Sequence, residues 1–483
     1  MKKVTTPRRR RAAAAVSLLG ALAAAACGSS TDDAEQADSK AATTTAKAAG
    51  GAAAGGDAST WGVVDKKLTG PSGFTIDLST CPAKWSDTAG ITDAEIRLGQ
   101  SFVMSGTAAA YGAMAIGAKS YFDYVNTTEG GIGGKKLVQV LKDDGYEAAR
   151  TKTNMDELLE TANVFGIYTT SGTPTALAVY DKLNESCVLD LIEASGHNAF
   201  GDPANHPWTT SGALSYATEA NIWGKYILDT LGKGTTVAAL VINNDFGILY
   251  RNTFEKFAKE NGLSLVKAEL YEPSAATVTN ELTTLASSNA DVFISMTNNT
   301  GCTPSFRFSA ETTWKPKLKI ASNTCSGPAV FKPAGQGGNG WIVPSFKKDA
   351  ADPTYRDDPG VKTIREQMQK TGLDPENSLH SDGYFYTYMV VEALKKAATF
   401  KGGLTRTNAI IAARSLDIAH PLAVNGIKVR NDGLKDAFLV EGAQLFEYVI
   451  QPGQEVGVKK PIGPPIDFDG TTPNCAWDGK TCK

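Results

Sequence analysis

Histidines, paired cysteines and glycine-rich phosphate loops are common carriers of protein chemistry, and this chain holds few of them in a working arrangement. Its four histidines, His197, His206, His380 and His420, lie in loop-like sequence with none at metal-ligand spacing from another. His197 stands close to Ser195, yet nothing nearby in sequence completes a nucleophile, base and orienting group. Gly-x-Ser-x-Gly and His-Glu-x-x-His do not occur. The run Gly130-Gly131-Ile132-Gly133-Gly134-Lys135-Lys136 has the wrong glycine spacing for a phosphate loop and no Ser or Thr after its lysine, so it reads as a turn between a helix and a strand. The sequence therefore predicts no enzyme, no metal and no cofactor.

The cysteines point to a compartment. Of the seven, Cys27 follows a basic stretch (Lys2, Lys3, Arg8 to Arg11) and an uncharged, mostly apolar run from Ala12 to Ala26, the order of a signal peptide over residues 1–26. The run is too short for a convincing membrane span. Small residues directly before Cys27 resemble a bacterial lipoprotein cleavage site, although Ala24 stands where that signal usually carries Leu; Cys27 is then the lipidated N-terminus. The remaining six, Cys81, Cys187, Cys302, Cys325, Cys475 and Cys482, are an even number in an exported chain and allow three disulfides in many pairings. Proximity along the chain favours Cys302 with Cys325 and Cys475 with Cys482, leaving Cys81 for Cys187. None forms a Cys-x-x-Cys pair, which argues against redox or zinc chemistry.

The elements that must position any site follow from composition and periodicity. With 483 residues, 42% apolar and 20% charged, most of the chain should fold in water, with room for more than one compact unit. Acids outnumber bases by 51 to 48, which gives no electrostatic case for nucleic acid. Residues 27–60, rich in Ala, Gly, Thr and Ser with few apolar groups to bury, make a flexible tether. From Ile91 onward short β-rich runs alternate with helical ones. Glu95 to Gly99, Lys136 to Leu141, Val164 to Tyr168 and Cys187 to Ile192 build one parallel sheet; Thr236 to Ile242, Leu263 to Leu270 and Asp291 to Met296 begin a second. The fold class is α/β, with two doubly wound lobes whose ligand sites lie at the carboxyl ends of the strands.

Ile96-Arg97-Leu98-Gly99, Ser105 to Gly112, Gly130 to Lys135, Asp143-Asp144 and Asn243-Asn244-Asp245-Phe246-Gly247 together resemble the leucine/isoleucine/valine-binding protein family, the extracytoplasmic solute-binding components of ABC importers. The resemblance runs from about Ile91 to about Val449. It implies a type I periplasmic-binding-protein-like fold with a three-strand hinge: an N-terminal extension over 61–90, lobe one over 91–212 and 342–436, lobe two over 213–341 and 437–466, and a tail over 467–483. It also implies a monomer that gives a small solute to an ABC permease while a lipid anchor holds it to the membrane.

Carried over residue by residue, the resemblance places Tyr111, Thr170 with Ser171, and Ser195 at the solute in lobe one, and Phe246, Asn298, Asn323 and Thr324 in lobe two; Tyr216 is added as a ring that would suit an apolar or aromatic solute body. Hydroxyls and amides at strand ends suit a carboxylate. Asn323-Thr324 fall where amino-acid binders present an acid to the ligand ammonium, with Glu193 as a substitute of uncertain register. The expected solute is therefore a small carboxylate, an aromatic compound or an amide, with Thr297 and Tyr384 as further candidates for the cleft. Branched-chain amino acids, a sensor role beside a membrane receptor, and a lipid-anchored hydrolase remain as alternatives.

Overall fold

The computed structural model describes residues 58–106 and 108–483. The signal peptide, Cys27 and the tether up to residue 57 lie outside the described residues. No helix among the described residues is long and apolar enough to cross a membrane.

Residues 62–77 form a small antiparallel sheet of β1 (Gly62–Val64), β2 (Lys67–Thr69) and β3 (Thr75–Asp77). The chain then winds through β4 (Glu95–Phe102), α1 (Gly112–Thr128), β5 (Lys136–Asp143), α2 (Ala148–Asp156), β6 (Gly166–Tyr168), α3 (Thr173–Glu185), β7 (Leu189–Glu193) and β8 (Thr209–Ser211). These five strands pair in the order β5-β4-β6-β7-β8, all parallel.

A second winding follows: α4 (Tyr216–Leu231), β9 (Thr236–Ile242), α5 (Asp245–Asn261), β10 (Ser264–Tyr271), α6 (Thr279–Ala286), β11 (Val292–Met296), α7 (Asn299–Glu311), β12 (Leu318–Ala321), α8 (Pro328–Ala334) and β13 (Trp341–Ser345). The β9 run is apolar without alternation, and Val237 to Ile242 are at most 1% exposed, as expected of a parallel strand covered on both faces. Asn244 caps α5 by accepting from the Gly247 amide at 3.2 Å. Gly247 itself admits no side chain, because a Cβ there would lie 2.1 Å from the Ile242 carbonyl oxygen. The Asn-Asn-Asp-Phe-Gly segment thus has a local reason: it turns the chain sharply from strand into helix.

The chain next leaves this sheet for α9 (Pro359–Lys370), α10 (Ser378–Ala398), α11 (Arg406–Ala413) and the two-residue ladder of β14 (Asp417–Ile418) with β15 (Val429–Arg430). It returns as β16 (Gly442–Val449) and β17 (Val458–Asp467). The second sheet is therefore β10-β9-β11-β12-β13-β16-β17, and β16 and β17 run antiparallel where a wholly parallel sheet was expected. For β16 against β17 the cause is the short 450–457 connection, which suits a hairpin and is too short for a parallel crossover; β16 itself comes back antiparallel to β13 after the long passage over 346–441. Three chain passages link the sheets: after β8, after β13 and before β16.

α10 packs along α1 of the first winding so closely that a Cβ on Gly117 would lie 2.4 Å from the His380 carbonyl oxygen, and one on Gly383 would lie 2.1 Å from that of Met114. Disulfides join Cys81 to Cys187, Cys302 to Cys325 and Cys475 to Cys482, the pairing that proximity favoured. The tail is tied to the first winding, with the Cys475 amide donating to the Gly201 carbonyl at 2.8 Å and the Trp477 amide to Asp202 at 3.0 Å. Gly117→Ala and Gly383→Ala are each expected to cost about 1–3 kcal/mol by forcing α1 and α10 apart. Urea unfolding should show lower midpoints for both, and unchanged midpoints would mean that the helices are not in contact.

Candidate functional site

Parallel strands put all their carboxyl ends on one edge of a sheet, and the two edges here face a shared cavity of about 100 Å³. Its walls are the residues just past the strands: Val103 after β4, Ser171 to Thr173 after β6, Ala194 after β7, Phe246 after β9, Asn298 after β11, and Asn323 and Thr324 after β12. Lys347 and Asp349 follow β13, and Ser378, Leu379, Asp382 and Tyr386 come from α10.

Of the residues expected at the solute, Tyr111, Ser171, Tyr216, Phe246, Asn298, Asn323 and Thr324 line this cavity. Thr170 and Ser195 do not; they lie one layer behind. The Ser195 hydroxyl is 2.9 Å from that of Thr173 and 3.4 Å from that of Tyr216, so it backs two lining side chains. The Thr170 carbonyl accepts from the Ala194 amide at 3.1 Å, which leaves Ser171 to face the cavity. This wall is strained, since Thr169 and the β-branched Ile192 hold φ of 49° and 60°, a conformation that costs on the order of 1–3 kcal/mol per residue. Gly172, φ 104°, opens α3 without any side-chain cap. The uncapped first turn of α3 therefore meets the cavity with its amides and its positive dipole end, a setting that favours an anion.

The opposite wall is aromatic and amide-bearing. Tyr216 packs edge-on against Phe246 at 4.8 Å, and Phe246 against Tyr250 at 5.1 Å. The Cys302–Cys325 disulfide joins the starts of the segments that carry Asn298 and Asn323. Thr324 turns its hydroxyl to the Thr297 carbonyl at 3.0 Å, and Thr297 is fully buried behind the wall. Tyr384 also lies away from the cavity: its hydroxyl is 3.0 Å from that of Ser120, and Tyr386 lines the site instead. His197 packs edge-on against Trp477 at 5.2 Å, and burial pushes its imidazole down to about 4. Glu193 is buried beside Asp190, and desolvation raises both carboxyls above their ordinary range. It is not part of the cavity wall.

The acids that sequence reasoning sought at Asn323-Thr324 come from elsewhere. Lys347, Asp349, Asp382 and Lys459 line the cavity. Lys347 pairs with Asp382, and Lys459 with Asp352 at 2.8 Å. Asp349 has no such cation within ion-pair reach among the described residues; it accepts from the Ala351 amide at 2.8 Å, and burial together with the nearby Asp382 pushes it up to about 6. The rule that site residues follow strand ends, applied to β13, would have nominated Lys347 and Asp349. Away from the cavity, Asp436, Glu441 and Asp469 gather carboxylate oxygens within 4.8 Å, and Lys428 and Arg430 hold Asp469 at 2.8 and 2.6 Å.

The model of the family described as periplasmic binding protein matches residues 95–441. The chain belongs to that family. Its members are binding proteins, not enzymes. None of the curated proteins compared with this chain matches it. Among solved structures, a branched-chain amino acid ABC transporter protein from Thermus thermophilus with bound valine superposes with a TM-score of 0.68 at 19% identity, over 77% of this chain and 98% of that one. A fatty acid ABC transporter substrate-binding protein from Thermomonospora curvata gives 0.65 at 19%, over 81% and 97%. An ABC-transporter solute-binding protein from R. palustris in complex with benzoate gives 0.64 at 14%, over 80% and 100%. At these identities the likeness shows the fold alone, here the periplasmic binding protein fold of two wound α/β halves.

The raised Asp349 carboxyl carries a pH signature. Its folded value of about 6 lies above the ordinary 3.8, so the folded state holds the proton more tightly and its ionisation costs stability above pH 6, a cost absent below pH 3.8. Asp349→Asn should therefore raise the melting temperature of the ligand-free protein at pH 8, by up to about 3 kcal/mol of stability, and leave it nearly unchanged at pH 4. Scanning calorimetry at the two pH values checks this.

Proposed function

We propose that this chain is a lipid-anchored, extracytoplasmic solute-binding protein that captures a small solute between its two windings and presents it, as a monomer, to the permease of an ABC importer. The observation that carries this reading is the cavity itself, in which polar groups from the carboxyl ends of two sheets face one another across one gap. Lobe one comprises 91–212 and 342–436, and lobe two 213–341 and 437–466, so the three chain passages act as the hinge. Closure then turns occupancy into a shape that a permease can recognise. The solute is a small carboxylate, an aromatic compound or an amide, with its anionic or polar end at Ser171 to Thr173 and its apolar body against Tyr111, Tyr216 and Phe246. The benzoate named with one structural neighbour above is in keeping with that range.

A second reading has a specific observation behind it. Asp349, a buried carboxyl with no ion-pair partner among the described residues and only the longer-range fields of Lys347 and Lys459 on it, is suited to an ammonium, so branched-chain amino acids stay in the candidate set.

Differential scanning fluorimetry against benzoate, short aliphatic carboxylates, primary amides and leucine, isoleucine and valine decides between them. A ligand at 100 times its dissociation constant stabilises the protein by about 2.7 kcal/mol. A shift from carboxylates or amides alone supports the first reading; a shift from the amino acids, lost in Asp349→Asn, supports the second. Silence across the panel overturns both. Phe246→Ala is expected to weaken whichever solute binds by about tenfold through loss of a packed ring. Cys27→Ser should abolish palmitate labelling and release the protein from the membrane fraction, and a variant still labelled there would contradict lipidation at this residue.

A further inference from the structure

Behind the cavity wall, α4 buries an acid that no expectation from sequence included. Glu219 is fully buried. One carboxylate oxygen accepts from the backbone amide of Asn323 at 2.7 Å. The other accepts from the Asn323 side-chain amide and from the Tyr250 hydroxyl, the latter at 2.7 Å. The Asn323 side-chain nitrogen also lies 3.3 Å from the Tyr250 oxygen. While Glu219 is ionised its carboxylate only accepts, so the side-chain nitrogen of Asn323 points toward it, as the hydrogen-bond geometry places it. With both of its donors committed there, the amide oxygen is the polar atom that Asn323 offers to the cavity.

We infer that Glu219 is a positioning residue that fixes Asn323 with its oxygen toward the solute, making this point of the wall an acceptor that selects solutes bearing an N–H or O–H donor. Tyr250 holds the carboxylate from α5, and the Cys302–Cys325 bond anchors the turn that carries Asn323. The arrangement has the stakes of any buried polar network: every member must be satisfied, so a change at Glu219 is transmitted to the orientation of Asn323.

The same geometry makes the selection sensitive to pH. The titratable groups facing Glu219 are Tyr216 on its own helix and Tyr250 on α5; the turn from Asn323 to Cys325 adds none, and no lysine, arginine or histidine among the described residues pairs with it. Burial pushes the Glu219 carboxyl up to about 7, and the hydrogen bonds from Tyr250 and Asn323 oppose that rise. Protonation turns one oxygen into a donor, and Asn323 then satisfies it by turning its own oxygen inward and its nitrogen toward the cavity. Acceptor-bearing solutes gain as the pH falls through this value, and donor-bearing ones lose.

The inference rests on the solute-binding reading only for its consequence, and the first measurement needs no solute. In the ligand-free protein, the side-chain amide resonances of Asn323 are followed from pH 5 to pH 9 by nitrogen-15 NMR, alongside the Glu219 carboxyl carbon. Titration of both signals with one midpoint near 7, with the Asn323 titration lost in Glu219→Gln, is the expected result. Asn323 resonances unmoved across that range overturn the inference, whether or not the variant folds. For selectivity the probes are 4-aminobenzoate and 4-nitrobenzoate, which share a ring and a carboxylate and differ in offering a donor or an acceptor at the far end. Calorimetry at pH 8.5 should show the amino compound favoured in the native protein and the preference shifted by about tenfold toward the nitro compound in Glu219→Gln. An unchanged ratio counts against the role of Glu219 in selection. If neither compound binds while Asn323 titrates, the benzoate-like solute is wrong and the Glu219–Asn323 device stands.

Discussion

All strands of a parallel sheet end on the same edge, and that edge is where the backbone leaves its ladder with amides and carbonyls unspent. Two such edges face each other here, joined by three chain passages, and α10 packs closely on α1 behind the first of them. The cavity is the gap between them. The apolar runs of β9 and β11 are consumed in the core and cannot contribute to it, so the side chains that reach a solute are the first few after each strand. Sheet direction thus determines which residues have access to a ligand at all, and residue type determines what each offers.

What they offer is uneven. The lobe-one wall ends in strained turns at Thr169 and Ile192 and an uncapped helix start at Gly172, an arrangement that keeps donors aimed at the gap instead of folding them into local caps. The lobe-two wall is stiffened by a disulfide and by aromatic packing from Tyr216 to Tyr250. Between them, two lysines and two aspartates enter from β13, α10 and β17, and only Asp349 among these lacks an ion-pair partner. A buried charge without a partner is costly in the empty protein. Under the proposed amino acid reading, a solute ammonium beside Asp349 would offset that cost.

Much of the architecture was legible in sequence because parallel strands covered on both faces are written as short apolar runs. Thr236 to Ile242 forms the strand expected of it, residue for residue. The antiparallel turn of β16 and β17 was not legible, because strand direction depends on the connection more than on the strands. In the site, Ser171, Tyr216, Phe246, Asn298 and Asn323, named from the family resemblance and residue type, line the cavity. Thr170 and Ser195 missed the surface by one residue and one layer, a difference of backbone dihedral at the strand ends that no residue pattern encodes. Asp349 was missed although it follows β13 by only a few residues, and Asp382 and Lys459 because they come from α10 and β17, far along the chain from most of the wall they complete. Glu219 reads in sequence as an ordinary helix acid one turn into α4, and only burial between α5 and the Asn323 turn reveals its role.

The central claim is that one small solute occupies the gap between the two sheet edges. Native mass spectrometry of the protein, purified from an exporting host and exposed to a cell-extract metabolite mixture, tests it most directly. The account predicts a complex of one organic molecule per chain, lost when Ser171→Trp fills the cavity while the variant's melting temperature stays near that of the parent. A chain that retains no small molecule under any loading, or one whose bound molecule survives that substitution unchanged, would contradict it.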